Sequence, residues 1–537
     1  MLSFDLDIET QKIINKLSSE LPLVEWVDWL EINSKEDYLD YVLKHSGLNN
    51  VDNIFTKVKM EKTESTSFSI NKETLLEQAN KEEPLILCHT SGTTDSRTSA
   101  LKWFQISISN IKRTWAPGMK AIFESSGLNK NNSVVIFVPS RLEVDGLNEE
   151  NGKKYISCYS SEFSQRIMLS IIKPSSYSLF EYKKANNLEV LSKILSLEEI
   201  AVISAPAITI LKWADINKFK AGLENSFKSI KNLNNPQLEG LLKIIKSNTL
   251  TDAARKIQLK LSEKLRNATL VFSISSLSED DWILIRKFMN WEKGAEKFTN
   301  LYVASEIGPI ASSLGDLEIS RANQMYILPL SLPVLERKRV KEILSYSKEK
   351  IGKLLVSRME DDKPLVNIDI GDVINIKSQE RLPLIDGIIL RDSFLLKYPI
   401  SISQKIKIPQ KYNVLAGDYF DLPSFKIYRP RNLLECLNKE NSNSADSLLL
   451  LIDDDNLEER KLFLPLFNNY LSSENEKITE CIRSKIKDNL PIKFEFIDDK
   501  PVNFVKERSD MINKVRTGKI PKGILKKWPL YVITRLN

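Results

Sequence analysis

The chain has 537 residues, too many for one compact core, and this length predicts two or three domains. Its 42% hydrophobic and 28% charged content is that of a soluble globular protein, and a net charge of +6 with both signs interspersed argues against a nucleic-acid partner. The opening residues MLSFDLDIETQK lack the apolar core of a signal peptide, and no apolar run reaches the roughly 18 residues of a membrane span, so no span is expected and the cytoplasm is the default location.

Region 1–80 reads as helical and irregular, with helical spacing of apolar residues over Thr10–Leu21 and Lys35–Lys44. Pro84–Cys88 predicts a buried strand that runs into a hydroxyl-rich loop. A helix over Ser107–Ser125 and a strand over Ser133–Val138 follow. Helices are then predicted at Val190–Leu197, from Pro206, at Leu238–Lys246, Ala253–Leu265 and Ser278–Met289, and strands at Ala201–Ser204 and Thr269–Ile274. Strands alternating with helices predict an α/β fold whose mixed sheets are covered by helices. After about residue 350 short strands dominate, at Lys353–Val356, Asp372–Ile376 and Gly387–Leu390. The tail predicts a small α+β unit: strand Ser447–Ile452, helices Asn456–Leu471 and Ile478–Asp488, strand Ile492–Ile497, with Asn441–Ser447 as a polar surface loop.

The four cysteines, Cys88, Cys158, Cys436 and Cys481, are scattered without a CxxC pair, so neither a disulfide framework nor a zinc site is expected. With only His45 and His89 present, a histidine metal centre is nearly excluded. The loop His89-Thr90-Ser91-Gly92-Thr93-Thr94-Asp95 offers hydroxyls, backbone N–H groups and a glycine that allows close approach, a combination that suits phosphate oxygens or an ordinary polar surface loop. It lacks the GxxxxGK[ST] pattern of a Walker loop.

This loop resembles the TSGTTG phosphate loop of the adenylate-forming superfamily, and its early position looks most like phenylacetate-CoA ligases. By that resemblance Thr90, Ser91, Gly92, Thr93 and Thr94 hold the ATP phosphates. Tyr302-Val303-Ala304-Ser305-Glu306 resembles YGxTE, which implies adenine stacking by Tyr302, a phosphate bond from Ser305 and Mg2+ binding by Glu306. Pro364 to Asp372 is similar to PLIRYxTGD and implies that Asp372 accepts bonds from the ribose hydroxyls. Arg391 to Lys397 resembles the hinge motif GRxDxxIK, with Arg391 at the AMP-contacting position; a competing match is Asp421 to Lys426. Val515 to Lys522 resembles the C-terminal PxTxxGKIxR, which implies that Lys519 bridges the carboxylate and the α-phosphate. Asp95 for Gly, Val303 for Gly and Ser393 for Asp depart from the family pattern.

The resemblance implies a domain at 1–391 that binds ATP and acid, and a mobile lid domain at 392–537 with an insertion at 398–425. It implies attack of a carboxylate on Mg2+-bound ATP, release of pyrophosphate, and transfer of the acyl group to CoA. By the same resemblance Ala201–Ala207 falls at the strand-to-helix turn near the acyl pocket, and Phe272–Leu277 where adenine-contacting residues sit, here without the family's glycine pair; their apolar character favours a hydrophobic acid. Another acceptor, or a degenerate paralogue that only binds nucleotide, are the alternatives.

Overall fold

The computed structural model describes residues 8–18, 27–46, 63–64, 85–89, 103–141, 145–150, 152–229, 235–273, 279–337, 340–344, 351–358, 365–378 and 382–390. Beyond these it describes 392–395, 400–401, 407–408, 412–416, 419–422, 425–428, 448–452, 460–465, 472–485, 492–497 and 530–535, and single residues at 56, 58, 59, 277, 433 and 436.

A 13-stranded mixed sheet organises the first two thirds. One half is parallel, in the order Ser176–Glu181, Ser133–Val138, Ile200–Ser204, Thr269–Ser273, Phe298–Ala304. Parallel neighbours need crossover connections, and helices supply them. Leu188–Ser196 precedes Ile200–Ser204, and Glu279–Met289 precedes Phe298–Ala304. Between Ile200–Ser204 and Thr269–Ser273 lie Ala207–Ala214, Ile216–Ser229, Glu239–Lys246 and Leu250–Leu265. The other half is antiparallel and runs through Gly308–Ser312, Gln324–Ile327, Leu384–Leu390, Leu365–Ser378 and Ile351–Arg358 to Val334–Arg337 and Val340–Ile343. The strand Ser133–Val138 is buried at every residue, as a strand covered on both faces must be.

The helices start and pack for local reasons. Asn187 caps Leu188–Ser196 by accepting from Glu189 N at 2.8 Å, and Thr249 caps Leu250–Leu265 by accepting from Asp252 N at 3.2 Å. In the latter helix Ala253, Ala254, Ile257, Leu261 and Leu265 form the buried stripe. They join Trp213, Phe219, Phe272 and Trp282 in one core. Burying each Leu or Ile there contributes about 1.5–3 kcal/mol. The helix expected over Ser107–Ser125 is helical throughout, but Ile111–Trp115 is a π turn that buries Trp115 against Phe163.

A second, four-stranded sheet has the order Trp103–Gln105, Leu85–His89, Lys153–Tyr159, Gly146–Glu150. Cys88 and Cys158 face each other in it as free, buried thiols. A third sheet of six strands takes the order Asp392–Leu395, Tyr412–Ala416, Leu530–Arg535, Leu448–Ile452, Arg460–Pro465, Ile492–Ile497. The last strand of the main sheet ends at Leu390 and the first of this sheet starts at Asp392. Tyr412–Ala416 lies inside the segment 398–425 read as an insertion. It is an inner strand of this sheet, paired with Asp392–Leu395 and Leu530–Arg535.

Two expectations are corrected. Arg460–Pro465, inside the helix expected over Asn456–Leu471, is a strand paired on both sides. Its apolar residues also fit helical spacing, and the pairing partners, not the local pattern, decide. Cys436 and Cys481 form a disulfide with Cα atoms 5.7 Å apart. They are 45 residues apart in the chain, so no spacing motif betrays the pair. Among the described residues no helix is long and apolar enough to cross a membrane.

Candidate active site

Phe298–Ala304 is where the main sheet changes character: it runs parallel to Thr269–Ser273 and antiparallel to Gly308–Ser312. Ligands of open α/β sheets usually bind beyond the carboxyl ends of the parallel strands. Ser305 and Glu306 occupy that position, in a turn that Ile307 N closes by donating to Ala304 O at 3.2 Å. Gly308 resumes the chain at φ +119°, where a Cβ would come within 3.1 Å of the Trp115 ring, so only glycine fits. The register slips between Tyr302 and Val303, which re-aims the residues on either side.

Asp372 arrives on the long strand Leu365–Ser378. Asn367 and Gly371 both have positive φ, +55° and +87°, and bend this strand twice before Asp372. The bends are tied down locally. Asn367 Nδ2 donates to Val58 O at 2.7 Å, and Gly371 N donates to Asp369 Oδ1 at 3.0 Å. Asp369 Oδ2 in turn accepts from Lys353 Nζ at 2.8 Å. The result brings two separately read motifs into contact: the Tyr302 hydroxyl donates to Asp372 Oδ2. Tyr302, Ser305, Glu306 and Asp372 are all between 2% and 8% exposed.

The strand that leads into the hydroxyl loop reaches the same place from the second sheet. Its last residue, His89, pairs in register with Tyr159, and Ser160 follows as the first residue of the helix Ser160–Ile172. Ser305 Oγ donates to Ser160 Oγ at 2.7 Å. Thus the base of the loop, the Ser305–Glu306 turn and Asp372 are linked through Tyr159, Ser160 and Tyr302.

Buried polar contacts stiffen this junction. His89 Nε2 lies 2.6 Å from Asp145 Oδ1, both side chains fully buried, with the imidazole against Trp103 and Tyr159. Glu162 accepts from Arg141 Nη2 at 2.6 Å and from Arg166 Nε at 2.9 Å. Burial pushes the Glu162 carboxyl up, but the charge of Arg166, then the bond and charge of Arg141, outweigh it and leave the group below the usual carboxylate range.

The structure therefore brings together Tyr302, Ser305, Glu306 and Asp372. Thr90, Ser91, Gly92, Thr93, Thr94, Asp95, Arg391 and Lys519 lie outside the described residues. So do Ile274, Ser275 and Ser276 of the segment expected to contact adenine. The Tyr302 ring belongs to a core cluster with Ile310, Met325 and Ile368 and presents no open face for stacking. Sequence reasoning missed Ser160, Asp145 and the Arg141–Glu162–Arg166 group. Only His89, next to Thr90, carried a local signal, because nothing in the chain links residue 160 to residue 305. A surface cleft of about 550 Å³, lined by Ser192, Leu195, Gln237, Leu241, Lys260 and Lys264 among others, contains none of these residues. It lies on the helical flank, without their chemistry. Among the described residues no three His, Cys, Asp or Glu side chains form a metal-holding group. Glu306 beside Ser305 fits a hard cation whose remaining ligands are phosphate oxygens and water.

No protein-family model and no curated protein matches the sequence. Among solved structures, the chain is similar to "GH3.15 acyl acid amido synthetase", at 13% identity, covering 99% of this chain and 96% of that one, TM-score 0.46. It is similar to the amide bond synthetase McbA of Marinactinospora thermotolerans at 12% identity, covering 79% and 67%, TM-score 0.39. It is also similar to apo MatB of Rhodopseudomonas palustris at 12% identity, covering 77% of this chain and 64% of that one, TM-score 0.39.

Proposed function

We propose that this chain is an adenylate-forming ligase: it activates a carboxylic acid with Mg2+-bound ATP, releases pyrophosphate and passes the acyl group to an acceptor, CoA in the first instance. The contact of Tyr302 with Asp372, one residue group away from Ser305 and Glu306, carries this reading. Two motifs read independently from the sequence meet there, and the strand that leads into a third, Leu85–His89, ends next to Tyr159 and Ser160.

In this proposal Asp372 accepts from the ribose hydroxyls, a task suited to an ionised carboxylate. Ser305 and the hydroxyls of Thr90, Ser91, Thr93 and Thr94 bond the phosphates, with Gly92 allowing close backbone approach. Glu306 helps hold Mg2+, which neutralises phosphate charge. Arg391 and Lys519 come from the C-terminal part, and Lys519 stabilises charge on the oxygens between acid and α-phosphorus. Such a reaction needs positioning and charge stabilisation more than covalent help from the protein. The change of sheet at residue 391 supports a boundary between a domain at 1–391 and a lid at 392–537. A rigid-body swing of that lid separates the two half-reactions. The apolar segments near the pocket favour a hydrophobic acid.

Pyrophosphate release over a panel of aromatic and fatty acids, with CoA or with amines, tests the reading. Release that depends on an acid, and thioester formed with CoA, is expected. Acyl amides formed instead would move the acceptor from thiol to amine. ATP and acyl-AMP analogues that bind without turnover would mark a chain that has kept the site and lost the reaction.

A further inference from the structure

The positive charge of this chain is concentrated rather than spread. The helices Ala207–Ala214, Ile216–Ser229, Glu239–Lys246 and Leu250–Leu265 carry ten Lys and Arg against four Asp and Glu. Their net +6 equals that of the whole chain, so the residues outside them are neutral in sum. The last two helices put these cations on one surface. In Leu250–Leu265, opposite the stripe buried in the core, Arg255, Lys256, Leu259, Lys260 and Glu263 share the exposed face. Lys243 and Lys246 are exposed on Glu239–Lys246, and Lys256 Nζ donates to Asn248 Oδ1 at 2.6 Å, just past the end of that helix. Among the described residues no carboxylate pairs with Lys243, Lys246, Lys256 or Lys260, and Arg255 lies 3.9 Å from Asp252. Apolar groups are accessible among these charges. Leu259 is 60% exposed. The cleft of about 550 Å³ between the two helices and Leu188–Ser196 is lined by Leu195, Leu241 and Ile244 as well as by Lys260, Lys264 and Glu263.

A bilayer with acidic headgroups offers such a surface what it lacks, anionic charge above hydrocarbon. A nucleic acid would take up the cations alone: no aromatic ring is exposed on these helices for a base to stack on, and Leu259 would face phosphate. We propose that Glu239–Lys246 and Leu250–Leu265 form a peripheral docking surface for an anionic lipid bilayer. Lys243, Lys246, Arg255, Lys256 and Lys260 attract the headgroups, and Leu259 enters the layer beneath them. Attachment is electrostatic first, so it weakens as salt screens the cations.

Flotation of the full chain with phosphatidylcholine vesicles, with and without phosphatidylserine, at low and high ionic strength tests this. Binding is expected only to vesicles that contain phosphatidylserine, and it falls as salt rises. The triple variant Lys243→Gln, Lys246→Gln, Lys260→Gln is expected to bind them about a hundredfold more weakly, at roughly fivefold per cation near an anionic surface. Leu259→Ser is expected to bind about fivefold more weakly, with the salt dependence unchanged. Equal attachment to neutral vesicles, no attachment to anionic ones at low salt, or a triple variant that binds like the wild type overturns the proposal. So does duplex DNA that, at equal phosphate, strips the wild type from the vesicles and binds Leu259→Ser just as tightly, the mark of a nucleic-acid surface.

Discussion

At the scale of single residues, the junction depends on a few side chains held by their neighbours. Asp372→Ala removes the carboxylate proposed for the ribose and leaves the Tyr302 hydroxyl without this acceptor. We expect ATP affinity to fall by about tenfold to a hundredfold, the contribution of one or two charge-assisted bonds, as read by titration calorimetry. Glu306→Gln keeps the shape and removes the charge. The expected outcome is a raised Mg2+ requirement for pyrophosphate release; an unchanged Mg2+ dependence would remove Glu306 from that role. Gly371 is a different kind of residue. Its φ of +87° is one that an L side chain rarely adopts. Gly371→Ala is expected to destabilise the chain by about 1 kcal/mol or more and to weaken ATP binding by moving Asp372. Denaturant unfolding and calorimetry on the same variant separate the two effects.

At the scale of elements, the helix Ser160–Ile172 ties the second sheet to the main one, and Glu162 is its electrostatic anchor. Its carboxylate is fully buried between Arg141 and Arg166, so removing it takes a charged partner from two guanidinium groups. Glu162→Gln is expected to cost about 3 kcal/mol in denaturant unfolding. The folded-state carboxyl is held below its ordinary value. Its contribution is therefore fully present above the unfolded-state value and is lost as pH falls through the lowered folded-state value. The wild type should lose stability in that acid window, and Glu162→Gln should lose less there. An identical acid limb in both would contradict the pairing. The Cys436–Cys481 disulfide closes a loop across 45 residues. A chain-entropy estimate puts its stabilisation at about 4 kcal/mol. Reduction, or Cys436→Ser, is expected to lower the unfolding midpoint of the C-terminal sheet by a corresponding amount. Elements with strong local patterns were legible in the sequence: Ser133–Val138 and Ile492–Ile497 match residue for residue, and most helices match within three residues at each end. The hairpin Gly146–Glu150 with Lys153–Tyr159 was not read, although the Asn151-Gly152 sequence between its strands is a local hairpin signal. Nor was Arg460–Pro465, whose apolar spacing suits two periods and whose neighbours settle the matter.

At the scale of the whole molecule, the sequence indicated an α/β chain with mixed sheets, and the 13-stranded sheet has that form. The order of motifs was readable because each carries chemistry that a nucleotide needs. Their meeting was not readable, since it depends on the register slip at Tyr302, the bends at Asn367 and Gly371, and the bond from Ser305 to Ser160. The lid proposal makes its own demand. Lys519→Ala is expected to abolish formation of the acyl adenylate while sparing transfer from preformed acyl-AMP, and single-turnover assays of each half-reaction check it; equal loss of both would contradict a role confined to the first step. The central claim is that one nucleotide is held where Tyr302, Ser305, Glu306 and Asp372 converge and is there attacked by a carboxylate. Exchange of labelled pyrophosphate into ATP, measured with each of a panel of hydrophobic acids and without any acceptor, tests it most directly. The account predicts acid-dependent exchange in the wild type and its loss in Asp372→Ala. Exchange that persists undiminished in Asp372→Ala, or that no acid elicits from the wild type, would contradict it.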